Sequence, residues 1–157
     1  MGAADQGSAM QADCPFCQII SGDEPARTVA TWDDAMAFFP RTPATLGHTL
    51  LVPRRHVPDI WSMTRPEAAR LGELALEVAE SLRDTLRPDG LNVIQSNGAA
   101  ATQTVPHLHV HLVPRWADDR MGGIWPPPGE WPPEDLDDAL ARVRRSPPGA
   151  GPRSSTP

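Results

Sequence analysis

No run in this sequence approaches the roughly 18 to 20 apolar residues that a membrane-spanning helix needs. The opening MGAADQGSAMQAD lacks the basic and apolar segments of a secretory signal. The expectation is a cytoplasmic protein without a membrane partner. A long basic run is also missing, and the formal net charge is -6, which argues against a grip on an extended nucleic-acid backbone. A small anion held by local dipoles and imidazoles stays open. Cysteine is scarce: the only two are Cys14 and Cys17. In a reducing cytosol that close pair points to metal binding or redox chemistry more than to a structural disulfide.

The 157 residues, 39% of them hydrophobic, suffice for one domain with a single core. Residues 1–12 and 146–157 are small, polar or rich in proline and glycine, and are expected to be disordered tails around a domain spanning 13–145. Within it, Ala35–Phe39, Thr49–Val52, Leu91–Gln95 and Leu108–Val113 are short apolar or alternating runs bounded by Gly, Pro and Asn, and Thr28–Trp32 joins them as a fifth strand candidate. A long helix is signalled by Thr64 and Glu67 at capping-box spacing, Pro66 in the first turn, and an apolar stripe of Leu71, Leu74, Ala75, Val78, Leu82 and Leu86 ending before Pro88. A shorter helix is expected over Pro133–Arg145, with Leu136, Ala139, Leu140 and Val143 on one face. The fold class is therefore α+β: an antiparallel sheet of about five strands with one long helix and a shorter C-terminal one. The proline-rich stretch Trp125–Pro133 reads better as a stiff connection whose tryptophans pack on the sheet than as a polyproline ligand.

The segment Val105-Pro106-His107-Leu108-His109-Val110-His111-Leu112-Val113 carries most of the chemistry. Strand alternation puts His107, His109 and His111 on one face and Leu108, Val110 and Leu112 on the other. Three imidazoles at period two are hard to explain by packing. They fit either a metal site or a neutral imidazole poised as nucleophile, and spacing alone does not decide. Upstream, the small polar stretch Gln95–Thr104 can bring backbone N–H groups and side-chain donors to an anion. His48 and His56 stand at the two ends of another strand candidate.

These segments resemble the histidine-triad family over roughly residues 14–116. The resemblance includes the Cys14-Pro15-Phe16-Cys17 opening, the run from Gly47-His48 to Arg55-His56, and Asn97-Gly98 before Gln103-Thr104. It implies an α+β fold paired as a homodimer and a nucleotide substrate joined through its α-phosphate to a leaving group. His109 would be the nucleophile, His111, Gln103 and Thr104 would hold the α-phosphate, and His48 and Asn97 would line the pocket. Similar members bind zinc through residues matching Cys14, Cys17, His56 and His107; two thiolates and two imidazoles make a closed, structural zinc site. The resemblance leaves His109 and His111 for phosphate. Two positions depart from the family pattern: Pro40 stands where an acidic or amide residue commonly meets the ribose, and Thr102 where a glycine is usual. The leading expectation is a hydrolase that releases a nucleoside monophosphate from a phosphoramidate, an adenylate or a dinucleoside polyphosphate. The alternatives are a transferase or phosphorylase using the same covalent step, and a zinc-stabilised nucleotide-binding module without turnover.

Overall fold

A computed structural model describes residues 10–145, so residues 1–9 and 146–157 of the expected tails lie outside the described residues. Met10–Ala12 are exposed, but hydrogen bonds tie this segment to the start of the first helix: the Cys14 N–H donates to the Gln11 carbonyl at 3.0 Å, and Gln18 Nε2 to the Ala12 carbonyl at 2.7 Å. Among the described residues, chain contacts define two compact units that divide between Gly122 and Gly123. No helix among the described residues is long and apolar enough to cross a membrane.

The first unit is a five-stranded antiparallel sheet in the order β1-β2-β3-β5-β4, built from β1 (Arg27–Thr31), β2 (Ala35–Phe39), β3 (Thr49–Pro53), β4 (Gly90–Gln95) and β5 (Val110–Arg115). Helix α1 (Pro15–Ser21) precedes the sheet and α2 (Arg65–Leu86) separates β3 from β4. All expected strands are present, Ala35–Phe39 with the expected ends and the other four with shifted ones. The first starts earlier because Arg27 pairs with Phe39, and it stops where the Trp32 N–H turns to the Ala35 carbonyl at 2.9 Å. The histidine strand begins at Val110 instead of Leu108, since the Leu108 N–H is taken by the Val57 carbonyl rather than by a neighbouring strand. It runs on to Arg115 because Gly90 and Leu91 pair with Arg115 and Pro114.

Both faces of the sheet are covered, which explains why β2 and β3 read as continuous apolar runs. On one face Ala35, Ala37, Leu51, Leu108, Val110 and Leu112 pack with Leu71, Leu74, Val78 and Leu82 of α2. On the other, Met36, Phe38, Leu50 and Val52 pack with Cys14, Phe16, Cys17 and Ile20 of the α1 segment. Helix α1 was not expected from the sequence. Pro15 opens it, and Gly22 closes it at φ 89°, donating back to the Ile19 carbonyl, a left-handed cap that glycine adopts without Cβ strain.

In the second unit α3 spans Pro133–Arg144, with Glu134 and Asp135 in its first turn and Arg142 and Arg144 in its last, as the dipole favours. Trp125 and Trp131 are 88% and 68% exposed.

Helix α2 starts on the expected capping box, with Thr64 accepting from the Glu67 N–H and Glu67 accepting from the Thr64 N–H at 2.8 Å. The same carboxylate receives Arg55 Nη2 at 2.7 Å, and this guanidinium is the main reason the Glu67 carboxyl is held down at about 2. Because the folded value lies below the unfolded one, the stabilisation is full above about 4.5 and is lost as pH falls through about 2. Glu67→Gln should cost about 1 kcal/mol at neutral pH, discounted for the solvent exposure of Arg55. Urea unfolding from pH 7 to pH 2 should show wild type and variant converging in the acid range.

Candidate functional site

The backbone of β5 and the segment before it place two histidine groups on the α1 face of the sheet. In the first, His107 Nδ1 lies 3.4 Å from Cys14 Sγ and 3.6 Å from Cys17 Sγ, and His56 Nδ1 lies 3.4 Å from Cys17 Sγ. The four side-chain ligand atoms all fall within 4.8 Å of one another. A tetrahedral ion with metal–sulfur and metal–nitrogen bonds of zinc length would set its sulfur and nitrogen ligands about 3.6 Å apart, so these residues fit a closed four-coordinate site. His107 is completely buried, and its Nε2–H donates to the Pro53 carbonyl at 2.8 Å, which leaves the Nδ1 lone pair to point at the thiols. Burial holds the His107 imidazole down at about 4, and burial also raises the Cys17 thiol above its ordinary value. Both cysteines are free thiols.

The second group comprises His48, His109 and His111. The Ala44 N–H donates to His48 Nδ1 at 3.0 Å, so His48 carries its proton on Nε2. That nitrogen is 2.9 Å from His111 Nδ1, which must then accept and leave the His111 proton on Nε2. Thr45 Oγ1 bonds the Pro114 carbonyl at 2.7 Å and pins the loop that presents Ala44 to β5. His109 is fixed differently: its Nδ1–H donates to the His107 carbonyl at 2.7 Å, which leaves the Nε2 lone pair without a donor among the described residues. Burial lowers all three imidazoles, His111 to about 4, so they are neutral at neutral pH.

His48, His109, His111 and Thr104 line one cleft of about 900 Å³, within the range of small-molecule sites. Its other walls come from α1 through Pro15, Phe16 and Ile19, and from the end of β2 through Phe38–Thr42. Phe16 sits edge-on to His109 with ring centroids 5.1 Å apart. In the sequence, Cys14-Pro15-Phe16-Cys17 draws the eye to its thiols alone; Pro15 at a helix start followed by Phe16, Ile19 and Ile20 was the available sign of an apolar helix here.

Gln103 and Asn97 do not line this cleft. Gln103 Nε2 donates to the Pro58 and Val105 carbonyls at 2.7 and 3.0 Å, and its Oε1 accepts the Gly98 N–H at 2.7 Å. Asn97 Oδ1 accepts the Ile60 N–H at 2.7 Å, while its amide bonds Gln95. Both side chains brace the loop leading to the histidines. Within that loop Thr102 lies at φ 65°, in the left-handed region, which strains a β-branched residue.

Residues 21–118 match the HIT domain family model. A Bacillus subtilis HIT-family crystal structure superimposes with a TM-score of 0.79 and 31% identity, covering 88% of this chain and 99% of that one. A zinc-bound histidine-triad protein from Mycobacterium smegmatis gives a TM-score of 0.67 at 31% identity, covering 86% and 98%. The Schizosaccharomyces pombe adenosine 5′-monophosphoramidase hnt1 is 31% identical over 114 residues, 72% of this chain and 83% of its own.

Thr102→Gly should raise stability by about 0.5 to 1 kcal/mol, relief of left-handed strain exceeding the entropy that glycine adds to the unfolded chain; a chemical-denaturation midpoint that falls would contradict this. Purified protein should carry about one metal ion per chain by elemental analysis, and Cys17→Ser should lose it and melt several degrees lower. Protein free of metal but equally stable would remove the four-ligand assignment.

Proposed function

Because this chain belongs to the HIT domain family, we propose that it is a nucleotide hydrolase cleaving a nucleoside monophosphate from a small leaving group through a nucleotidyl-His109 intermediate. The observation that carries the reading is the His109 imidazole, buried in the cleft wall and held by the His107 carbonyl so that Nε2 keeps its lone pair. A neutral, oriented imidazole is a competent nucleophile toward phosphorus. Nε2 forms the bond to the α-phosphorus as the bond to the leaving nitrogen or oxygen breaks. His111, whose Nε2–H is set by the chain of donors from Ala44 through His48, hydrogen-bonds a phosphoryl oxygen as charge builds on it. Water then attacks the adduct, releasing the nucleoside monophosphate and restoring His109. Thr104 supplies a further donor from the cleft wall, and Gln103 and Asn97 act as positioning residues through the loop they brace. Phosphoramidates, adenylates and dinucleoside polyphosphates are the substrate classes; the likeness to the fission-yeast phosphoramidase favours the first.

The metal at Cys14, Cys17, His56 and His107 is zinc in this reading. Four protein donors leave no open position for water, so it contributes to folding and to holding His107 in place. Support comes from the mixed thiol and imidazole donor set and from the zinc-bound relative of similar fold. The chain is further taken to act as a cytoplasmic homodimer, as its family resemblance implies; light scattering tests the dimer.

His109→Ala should reduce kcat by several powers of ten while nucleotide binding stays measurable, because the covalent path is lost whole. His111→Ala should leave a slow residual rate. Quenched reactions with adenosine 5′-phosphoramidate should show an adenylyl adduct on His109 by mass spectrometry; an adduct on His107 would overturn the division of roles. Product analysis with water and with inorganic phosphate as acceptors separates hydrolysis from phosphorolysis.

A further inference from the structure

The cleft that holds His109 and His111 extends beyond the groups the reaction uses. Its far end is formed by Glu24–Arg27, leading into β1, and by Pro40, Arg41 and Thr42 where the chain leaves β2. Strand register fixes how this end lies. Phe38 pairs with Leu50 across β2 and β3, and Leu50 pairs with His111 across β3 and β5. Pro40 follows two residues after Phe38, about 7 Å further along the strand direction. Arg27 pairs with Phe39 on the other side of β2, so both arginines border the same end.

With the histidines neutral, the charged side chains lining the cleft are Glu24, Arg27 and Arg41. Two guanidinium groups against one carboxylate leave an excess of positive charge there, in a chain whose formal net charge is -6. Arg41 Nη2 holds Glu24 Oε2 at 2.9 Å, with the two side chains 80% and 42% exposed, a pair that opens at little cost. Arg27 makes no ion pair among the described residues. Pro40 offers no side-chain acceptor for sugar hydroxyls, and a phosphate reaching Arg41 would take the place of its Glu24 partner. Planar guanidinium groups bind paired phosphate oxygens, and the Thr42 hydroxyl adds a donor beside them. This end of the cleft is built to meet an anion better than a neutral diol.

Resting on the nucleotide reading above, we infer that the preferred substrates carry a second phosphate on the sugar, remote from the reacting 5′ group, and that Arg27 and Arg41 bind it. The class is a nucleoside 5′-phosphoramidate or 5′-anhydride bearing a 2′- or 3′-phosphate. That phosphate is not cleaved; it anchors the nucleoside while His109 acts at the other end.

Titration calorimetry of the full-length protein with AMP, adenosine 2′,5′-bisphosphate and adenosine 3′,5′-bisphosphate reads the subsite without turnover. At least one bisphosphate should bind about tenfold or more tighter than AMP, with a gap that narrows as salt is added. The gap should fall to within about threefold in the Arg27→Ala/Arg41→Ala protein. Equal affinities in the wild type, or a gap that survives the double substitution, would overturn the inference. The ratio of kcat/KM for 3′-phosphorylated and plain adenosine 5′-phosphoramidate should follow the same pattern. A calorimetric gap that depends on the arginines, in protein that turns over neither compound, would support the subsite and count against hydrolysis.

Discussion

The His107 residue makes three bonds in three directions, and the rest of the site depends on them. Its Nδ1 faces the Cys14 and Cys17 thiols, its Nε2–H donates to the Pro53 carbonyl at the end of β3, and its own carbonyl accepts His109 Nδ1–H. The ring is completely buried, so none of these partners could be exchanged for water without leaving a polar group unsatisfied. Rotating the ring would take one ligand atom out of the Cys/His cluster and orphan the Pro53 carbonyl. Shifting the backbone would release the His109 tautomer. The Cys/His cluster and the candidate nucleophile are thereby joined through one residue.

Helix α1 extends that coupling into the cleft. Cys14 and Cys17 lie at its start, and between them Phe16 packs edge-on against both His107 and His109 while lining the cleft. The packing that gathers Cys14 and Cys17 beside His107 therefore also seats an aromatic wall beside His109. A helix of only seven residues has little stability of its own, and its buried Phe16, Cys17 and Ile20 supply what its length does not. The opposite side of the cleft is set by a hydrogen-bond chain that starts at a backbone group, the Ala44 N–H, and passes through His48 to His111. Starting from a main-chain donor gives the chain one direction, since an amide N–H cannot accept.

The sequence made the sheet and α2 legible because their signals are local. Thr64 and Glu67 form the capping box their spacing announces, and alternation puts Leu108, Val110 and Leu112 in the α2 core while His107, His109 and His111 face the other way. The features it did not reveal are set by distant partners. The start of β5 is displaced by the Val57 carbonyl taking the Leu108 N–H, 51 positions away in the chain (108 − 57). Gln103 resembles a phosphate ligand by position, yet its amide is occupied by the Pro58 and Val105 carbonyls and the Gly98 N–H. Helix α1 hid behind a motif that reads first as metal chemistry, and Trp125 and Trp131, apolar by residue type, stay exposed.

The charge distribution bears on how such a cleft would take up an anion. The chain is acidic as a whole, but Glu73, Glu77 and Glu80 on α2 are not among the residues that line the cleft. At physiological ionic strength charges separated by more than about 8 Å are largely screened, so an acid beyond that range opposes an anion in the cleft only weakly. Donors within hydrogen-bond reach are not screened in this way, and in a partly buried cleft they act through a lower effective dielectric. An anion in this cleft would then be held at short range, by oriented N–H groups, neutral imidazoles and the guanidinium groups of Arg27 and Arg41. A rigid frame around His107 matters for that reason: donors that act only at contact distance must already be in place when the ligand arrives.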